Sequence, residues 1–281
     1  MFNLPDNSNK TQVFLENGSW KKPEGICMIE IICVGAGGGG GGGSTNNGFN
    51  RGGSGGGSGA ITRLIVPAVF VPDDLLVVIG KGGAGGAPET TAPNGGSSAV
   101  GPYPSVGTNE YLVHATGGNG GFRGYDGNLG GAGGSCASLS MRKSPLGIMT
   151  CTNGVTGGIA NTGAAGSDSF VSASTICLYS STGGGSQTTS GGTIVGVTDV
   201  IPDLPGGAVG EDGKDGYTNF SPFYSYGGTG SGGVSVRPMK NGGKGGRGCG
   251  GGGAGFTPIG GASNNGVGGK GGDGLVIITC W

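Results

Sequence analysis

The sequence predicts a mostly β and irregular fold, essentially without α-helix, in which strands at both ends form a small sheet system. That system closes a glycine-rich body of packed polyglycine II helices. Three observations carry the prediction. Glycine supplies 76 of the 281 residues, and each glycine inside a helix costs about 1 kcal/mol relative to alanine. Apolar, β-branched runs stand at both ends of the chain. Between them, glycine-rich tracts repeat with a period of three.

The elements follow in chain order. Residues 1–10 read as a short attachment segment. Thr11 to Glu16 alternates as a strand and Asn17-Gly18 makes a turn. Ile26 to Val34 is apolar, β-branched and broken by one charge, Glu30, which predicts a strand buried on both faces. A first glycine tract, 35–59, separates it from Ala60 to Ile79, the longest glycine-free stretch. That stretch reads as two strands, Ile61 to Val71 and Leu75 to Ile79, turned at Val71-Pro72-Asp73-Asp74. Pro67 marks a sheet edge or a bulge. Residues 11–79 are therefore N-terminal strands with a first glycine tract, and 80–274 are the glycine-rich body with its loops. Leu275 to Trp281 is a closing strand that pairs with the N-terminal ones, so 11–281 is one folded unit.

The period of three is explicit in several tracts. In Gly80 to Ala87 the non-glycine residues are Lys81, Ala84 and Ala87. The series recurs as Asn241, Lys244, Arg247 and as Val267, Lys270, Asp273. Over 118–133 glycine itself holds the register, from Gly118 to Gly133. Three residues per turn is the polyproline II period, a helix with no internal hydrogen bonds. Its amides need partners on neighbouring segments. Lacking Cβ atoms, glycine tracts can lie close enough to exchange N–H···O=C bonds, which leaves Lys81, Lys244, Arg247 and Lys270 on the solvated face. Ordinary glycine-rich β-structure is the competing reading. Collagen is not, because the triplets of 118–135 contain no proline, and a flexible linker does not carry runs such as Phe170 to Tyr179. Ordering a residue costs about 1–2 kcal/mol and a hydrogen bond returns about 1 kcal/mol net. The apolar strands must therefore supply the surplus.

Most chemistry is excluded. A net charge of −1 gives no footprint for nucleic acid, and no apolar stretch reaches the 18 or so residues of a membrane span. The seven cysteines form no CxxC pair and there is one histidine, His114, so zinc has no spacing to rest on. The cysteines read as small, buried, reduced thiols, and His114 as a partly buried, hydrogen-bonded residue. Lys81, Lys214, Lys244 and Lys270 follow glycine without a following Ser or Thr, so there is no P-loop. Gly52 to Gly56 fits GxSxG, but in a low-complexity run without a strand-to-helix elbow. Residues 268–275 match the calcium-binding nonapeptide once, where the motif works only by stacking copies. The acidic set Asp199, Asp203, Glu211, Asp212 and Asp215 misses EF-hand spacing and reads as a solvated loop. No nucleophile, base and orienter can be assembled. The expectation is a protein that is not an enzyme and uses no cofactor or metal. The first residues also lack the basic region and apolar core of a secretory signal.

Phe14-Leu15-Glu16-Asn17-Gly18-Ser19-Trp20-Lys21-Lys22-Pro23-Glu24-Gly25 leads into the apolar strand and then into Val34-Gly35-Ala36-Gly37 and six more glycines. Together with the ending Gly271 to Ile278, this resembles the glycine-rich domain of tailed-bacteriophage fibre and appendage proteins, from Thr11 to Trp281. The resemblance implies a virion surface protein, a tail-fibre or capsid appendage assembled in the host cytoplasm, a setting that also fits reduced cysteines. Its relatives include tail-fibre tip adhesins with a polyglycine II body whose loops touch the host. They usually carry a separate attachment domain, whereas about ten residues precede the body here. The implied partners are other virion proteins or copies of itself, and a host cell-surface glycan or protein. Contacts are then expected in the segments interrupting glycine: Pro102 to Tyr111, Phe122 to Tyr125, Met141 to Met149 and Tyr217 to Tyr226. Their aromatics suit sugar or protein recognition: Tyr103, Tyr111, Phe122, Tyr125, Tyr217, Phe220, Phe223, Tyr224 and Tyr226. The last five equally suit a hydrophobic anchor for the body. The alternative function is a self-assembling extracellular filament or matrix subunit joined through exposed edges.

Overall fold

Ile29, Ile31 and Cys33 alternate with Met28, Glu30 and Ile32, and that period of two builds the central face of the larger sheet. The computed structural model describes residues 10–44, 51–102, 111–124, 129–136, 147–161, 163–170, 178, 180–186, 188–196, 201–220, 223–235, 238, 240–257 and 266–281. The strands of the two main sheets are β1 (Lys10–Phe14), β2 (Gly18–Lys21), β3 (Met28–Val34), β4 (Ile61–Pro67), β5 (Asp74–Val78), β6 (Ser98–Pro102), β7 (Val113–Ala115) and β8 (Ile148–Thr152). Two short pairs follow in the chain, β9 (Ser169–Phe170) with β10 (Ile194–Val195) and β11 (Thr218–Phe220) with β12 (Phe223–Ser225). The last strand is β13 (Leu275–Cys280).

One sheet has the order β1-β13-β3-β4-β8 and the other β2-β5-β6-β7, each antiparallel throughout. Their facing side chains, among them Trp20, Ile31, Leu64, Leu75, Val100 and Ile278, form the main core. The last strand thus lies between two N-terminal ones, with Leu275 opposite Val34 and Phe14 opposite Val276. The 3-10 turn Ala68–Phe70 is the only helical segment among the described residues.

Several expectations are corrected. The run from Ile26 becomes a strand only at Met28, and one of its faces is fully buried while the other is partly covered. The predicted strand Ile61 to Val71 stops at Pro67, where the 3-10 turn begins. Pro67 does not mark an edge. β4 is an inner strand, and the proline sits at its last residue, opposite Met28, where the ladder ends and a missing N–H costs nothing. Within 80–274, β6, β7 and β8 join the terminal sheets. They are short, three to five residues, and lack the long apolar runs of the terminal strands, so only their neighbours make them strands. The cysteines are not all reduced: Cys136 and Cys151 form a disulfide with Cα atoms 5.8 Å apart. Pairing of β8 with β4 carries Cys151 back beside the tract that ends at Cys136. Of the other described cysteines, Cys33, Cys249 and Cys280 are buried as expected, but Cys27 is exposed.

The glycine tracts run out from the sheets as a hydrogen-bonded lattice. Residues 35–44 are all buried, and their amides donate in strict rotation. Those of 35, 38 and 41 go to the carbonyls of 60, 57 and 54, those of 36, 39 and 42 to 96, 93 and 90, and those of 37, 40 and 43 to 272, 269 and 266, at 2.8–3.1 Å. The donors repeat every three residues, as a three-residue turn requires. The carbonyls of the same tract accept from three further tracts: 118, 121 and 124 on one side, 83, 86 and 89 on another, 251 and 254 on a third. Tract 35–44 therefore has six neighbours. Tracts 51–60 and 248–257 are also interior and bond to it and to each other.

Candidate binding surface

Outer tracts keep a side chain at every third position, and many of those side chains accept amides that have no backbone partner. Asp212 Oδ1 accepts from the Asn241 amide at 2.7 Å, Asp215 Oδ1 from Lys244 at 2.7 Å, and Thr218 Oγ1 from Arg247 at 2.8 Å. Asn241 Oδ1 continues the ladder to the Val267 amide, 2.9 Å away. The described members of the acidic set are exposed, as in a solvated loop, but three of them also accept backbone amides. Asp203, Asp212 and Asp215 cap lattice amides, and Asp199 lies outside the described residues. Asp273, from the single nonapeptide match, accepts the Gly82 amide at 2.8 Å and pairs with Lys81 and Lys270. Burial pushes its carboxyl up, but the Gly82 amide and the two lysines outweigh this and hold it below the usual carboxylate value.

The tracts give the molecule two ends. At the sheet end, Val34, Ile61, Ala115 and Leu275 pass directly between strand and tract. At the far end, Gly43 bonds to Gly266, Gly124 to Gly42, and Gly53 to Ala254. The described borders of the segments 45–50, 125–128 and 258–265 are therefore gathered at one end of the lattice.

The candidate aromatics are divided between these regions. Tyr103 and Tyr125 lie outside the described residues, as does most of Met141 to Met149, of which Ile148 and Met149 belong to β8. Phe122 is at the far end, its amide and carbonyl both bonded to Ser54. Tyr111 stacks on His114 with ring centroids 4.9 Å apart at the sheet end. Burial holds His114 below its ordinary pKa.

The β11–β12 hairpin brings the remaining five together. Tyr226 is fully buried, its hydroxyl donating to the Pro202 carbonyl, and Tyr224 packs edge-on against it at 5.6 Å. With Ile194 they form a separate apolar cluster, so these two rings anchor the hairpin. Phe223 is half-buried against the cluster of Val34, Leu178 and Leu275. Tyr217 and Phe220 are the exposed members, 42% and 49% accessible. Burial and a hydrogen bond with Tyr224 raise the Tyr217 phenol above its ordinary pKa.

Tyr217 and Phe220 border a groove of about 410 Å³ where lattice and sheet meet, lined also by Lys244, Arg247, Lys270 and Asp273. Lys81, Lys244 and Lys270 are exposed and Arg247 half-buried, much as the period of three predicts. That these cations adjoin the aromatic hairpin was not read from the sequence. The shared register of 241–247 and 267–273 is the signal that would have aligned Lys244 beside Lys270. Among the described residues no group of three His, Cys, Asp or Glu side chains is placed to hold a metal ion.

A family model described as Glycine-rich domain matches residues 11–281. No curated protein matches the chain.

Proposed function

The chain belongs to the glycine-rich domain family, and from that premise we propose that it is a non-enzymatic structural protein of the virion surface, a tail-fibre or capsid appendage. On this reading it attaches the particle to a host cell-surface glycan or protein, and contacts other virion proteins or further copies of itself. It is assembled in the host cytoplasm. One observation supports the reading most: a lattice with satisfied backbone groups holds the borders of several inter-tract segments together at the end away from the sheets. A scaffold of this kind fixes the bases of binding loops, which reduces the ordering cost of recognition.

A second reading, a self-assembling filament or matrix subunit, draws on β1. It is an edge strand with four of its five residues exposed, a template for strand addition. Immunogold labelling of purified particles separates the two. Discrete copies at a fixed particle site are expected. Labelling of open-ended polymers, or of no particle at all, would overturn the virion assignment.

A further inference from the structure

The groove beside the β11–β12 hairpin has a floor made of glycine backbone. The amides of Gly216, Gly245, Gly246, Gly271 and Gly272 all donate into the lattice, at 2.7–2.8 Å. The floor is flat, because no Cβ projects from it, and its donors are spent. Recognition therefore falls to the side chains around it.

Those side chains are two exposed aromatic rings, Tyr217 and Phe220, and three cations, Lys244, Arg247 and Lys270, against one carboxylate. The carboxylate, Asp273, is already engaged by the Gly82 amide and by Lys81 and Lys270. Arg247 is oriented by donation to the carbonyls of Leu15, at 3.1 Å, and Gly274, at 3.4 Å. Tyr217 is held by ring contacts to the anchored Tyr226, at 5.0 Å, and Tyr224, at 6.0 Å. On a chain of net charge −1, a groove with this excess of cations attracts anions locally.

We propose that this groove binds a saccharide bearing carboxylate groups, of the uronic-acid class. Pyranose C–H faces pack on Tyr217 and Phe220, while Lys244, Arg247 and Lys270 receive the carboxylates. Its volume lies within the roughly 300–1,000 Å³ usual for small-ligand sites, enough for one or two sugar rings of a longer chain. The proposal gives a ligand class to the aromatic hairpin and so rests on reading that hairpin as part of the attachment surface.

The test titrates the full chain with tri-galacturonate and, separately, with maltotriose, by calorimetry. The acidic trimer is expected to bind at least about tenfold more tightly than the neutral one and to weaken as salt rises. The double variant Lys244→Gln/Lys270→Gln is expected to lose about tenfold in affinity with only a small fall in melting temperature from the lost Lys270–Asp273 pair, and Phe220→Ala to lose affinity with little effect on folding. Equal affinity for the two trimers, no binding of tri-galacturonate, or binding unchanged in the double variant would each overturn the proposal. Particle labelling is a separate measurement. A chain found on particles that ignores tri-galacturonate sinks this inference alone.

Discussion

At the scale of the residue, what matters most is the volume a side chain would need. A Cβ at Gly40 would lie 2.0 Å from the Gly252 carbonyl oxygen, a main-chain atom that cannot swing away. Gly37, Gly38, Gly39, Gly41 and Gly42 are confined by equally close carbonyls. This explains why 37–43 is an unbroken glycine run, whereas outer tracts show a side chain at every third place. Gly40→Ala is expected to cost more than about 4 kcal/mol and to abolish recovery of folded protein. Gly163→Ala, where φ is +65° and nothing lies within 4 Å, should cost only about 1–2 kcal/mol. Urea unfolding of the two variants checks this, and a Gly40→Ala protein as stable as the parent would refute the close-packed interior. Asp273 adds a pH dependence. Its carboxyl titrates below the usual value, so its contribution is present above about pH 4 and is lost as pH falls through the lower folded value. Asp273→Asn should lower the melting temperature at neutral pH, and the gap to the parent should close as pH falls through the lowered folded value.

At the scale of the element, legibility followed apolar content. β3 and β13 were readable because β-branched apolar runs near glycine have few other uses, and β1 through the alternation of Thr11 to Glu16. β2, β6, β7 and β8 were not, since a segment such as Ser98–Pro102 carries no periodicity of its own. The hairpin was legible as an aromatic cluster, but its division into Tyr224 and Tyr226 inside and Tyr217 and Phe220 outside depends on what covers each ring. β13 is bonded on both sides, to β1 and to β3. Deleting Leu275 to Trp281 removes two ladders and the buried Val276 and Ile278 at once. The truncated chain is expected to be protease-sensitive and to lack a cooperative thermal transition. A soluble, protease-resistant product would show that the sheet survives without this inner strand.

At the scale of the whole molecule, lattice and sheets stabilise each other, and the Cys136–Cys151 disulfide ties a tract end to β8 across 15 residues of sequence. Cys136→Ser is expected to cost about 3 kcal/mol in the chain-entropy view of such a loop. A reductant should lower the parent's melting temperature to match the variant, and a melt insensitive to reductant would show that the link carries no stability. By itself the sequence determined the class of the fold: glycine density forbids helix, the period of three sets the tract geometry, and the apolar runs mark where a core must form. Tertiary structure alone decided which tracts lie inside, which cysteines meet, and which cations stand beside Tyr217. The physical reason is degeneracy. Any glycine tract can bond to any other through its backbone. The choice of neighbour comes from where the strands pin the tract ends and from which faces carry side chains too large to enter.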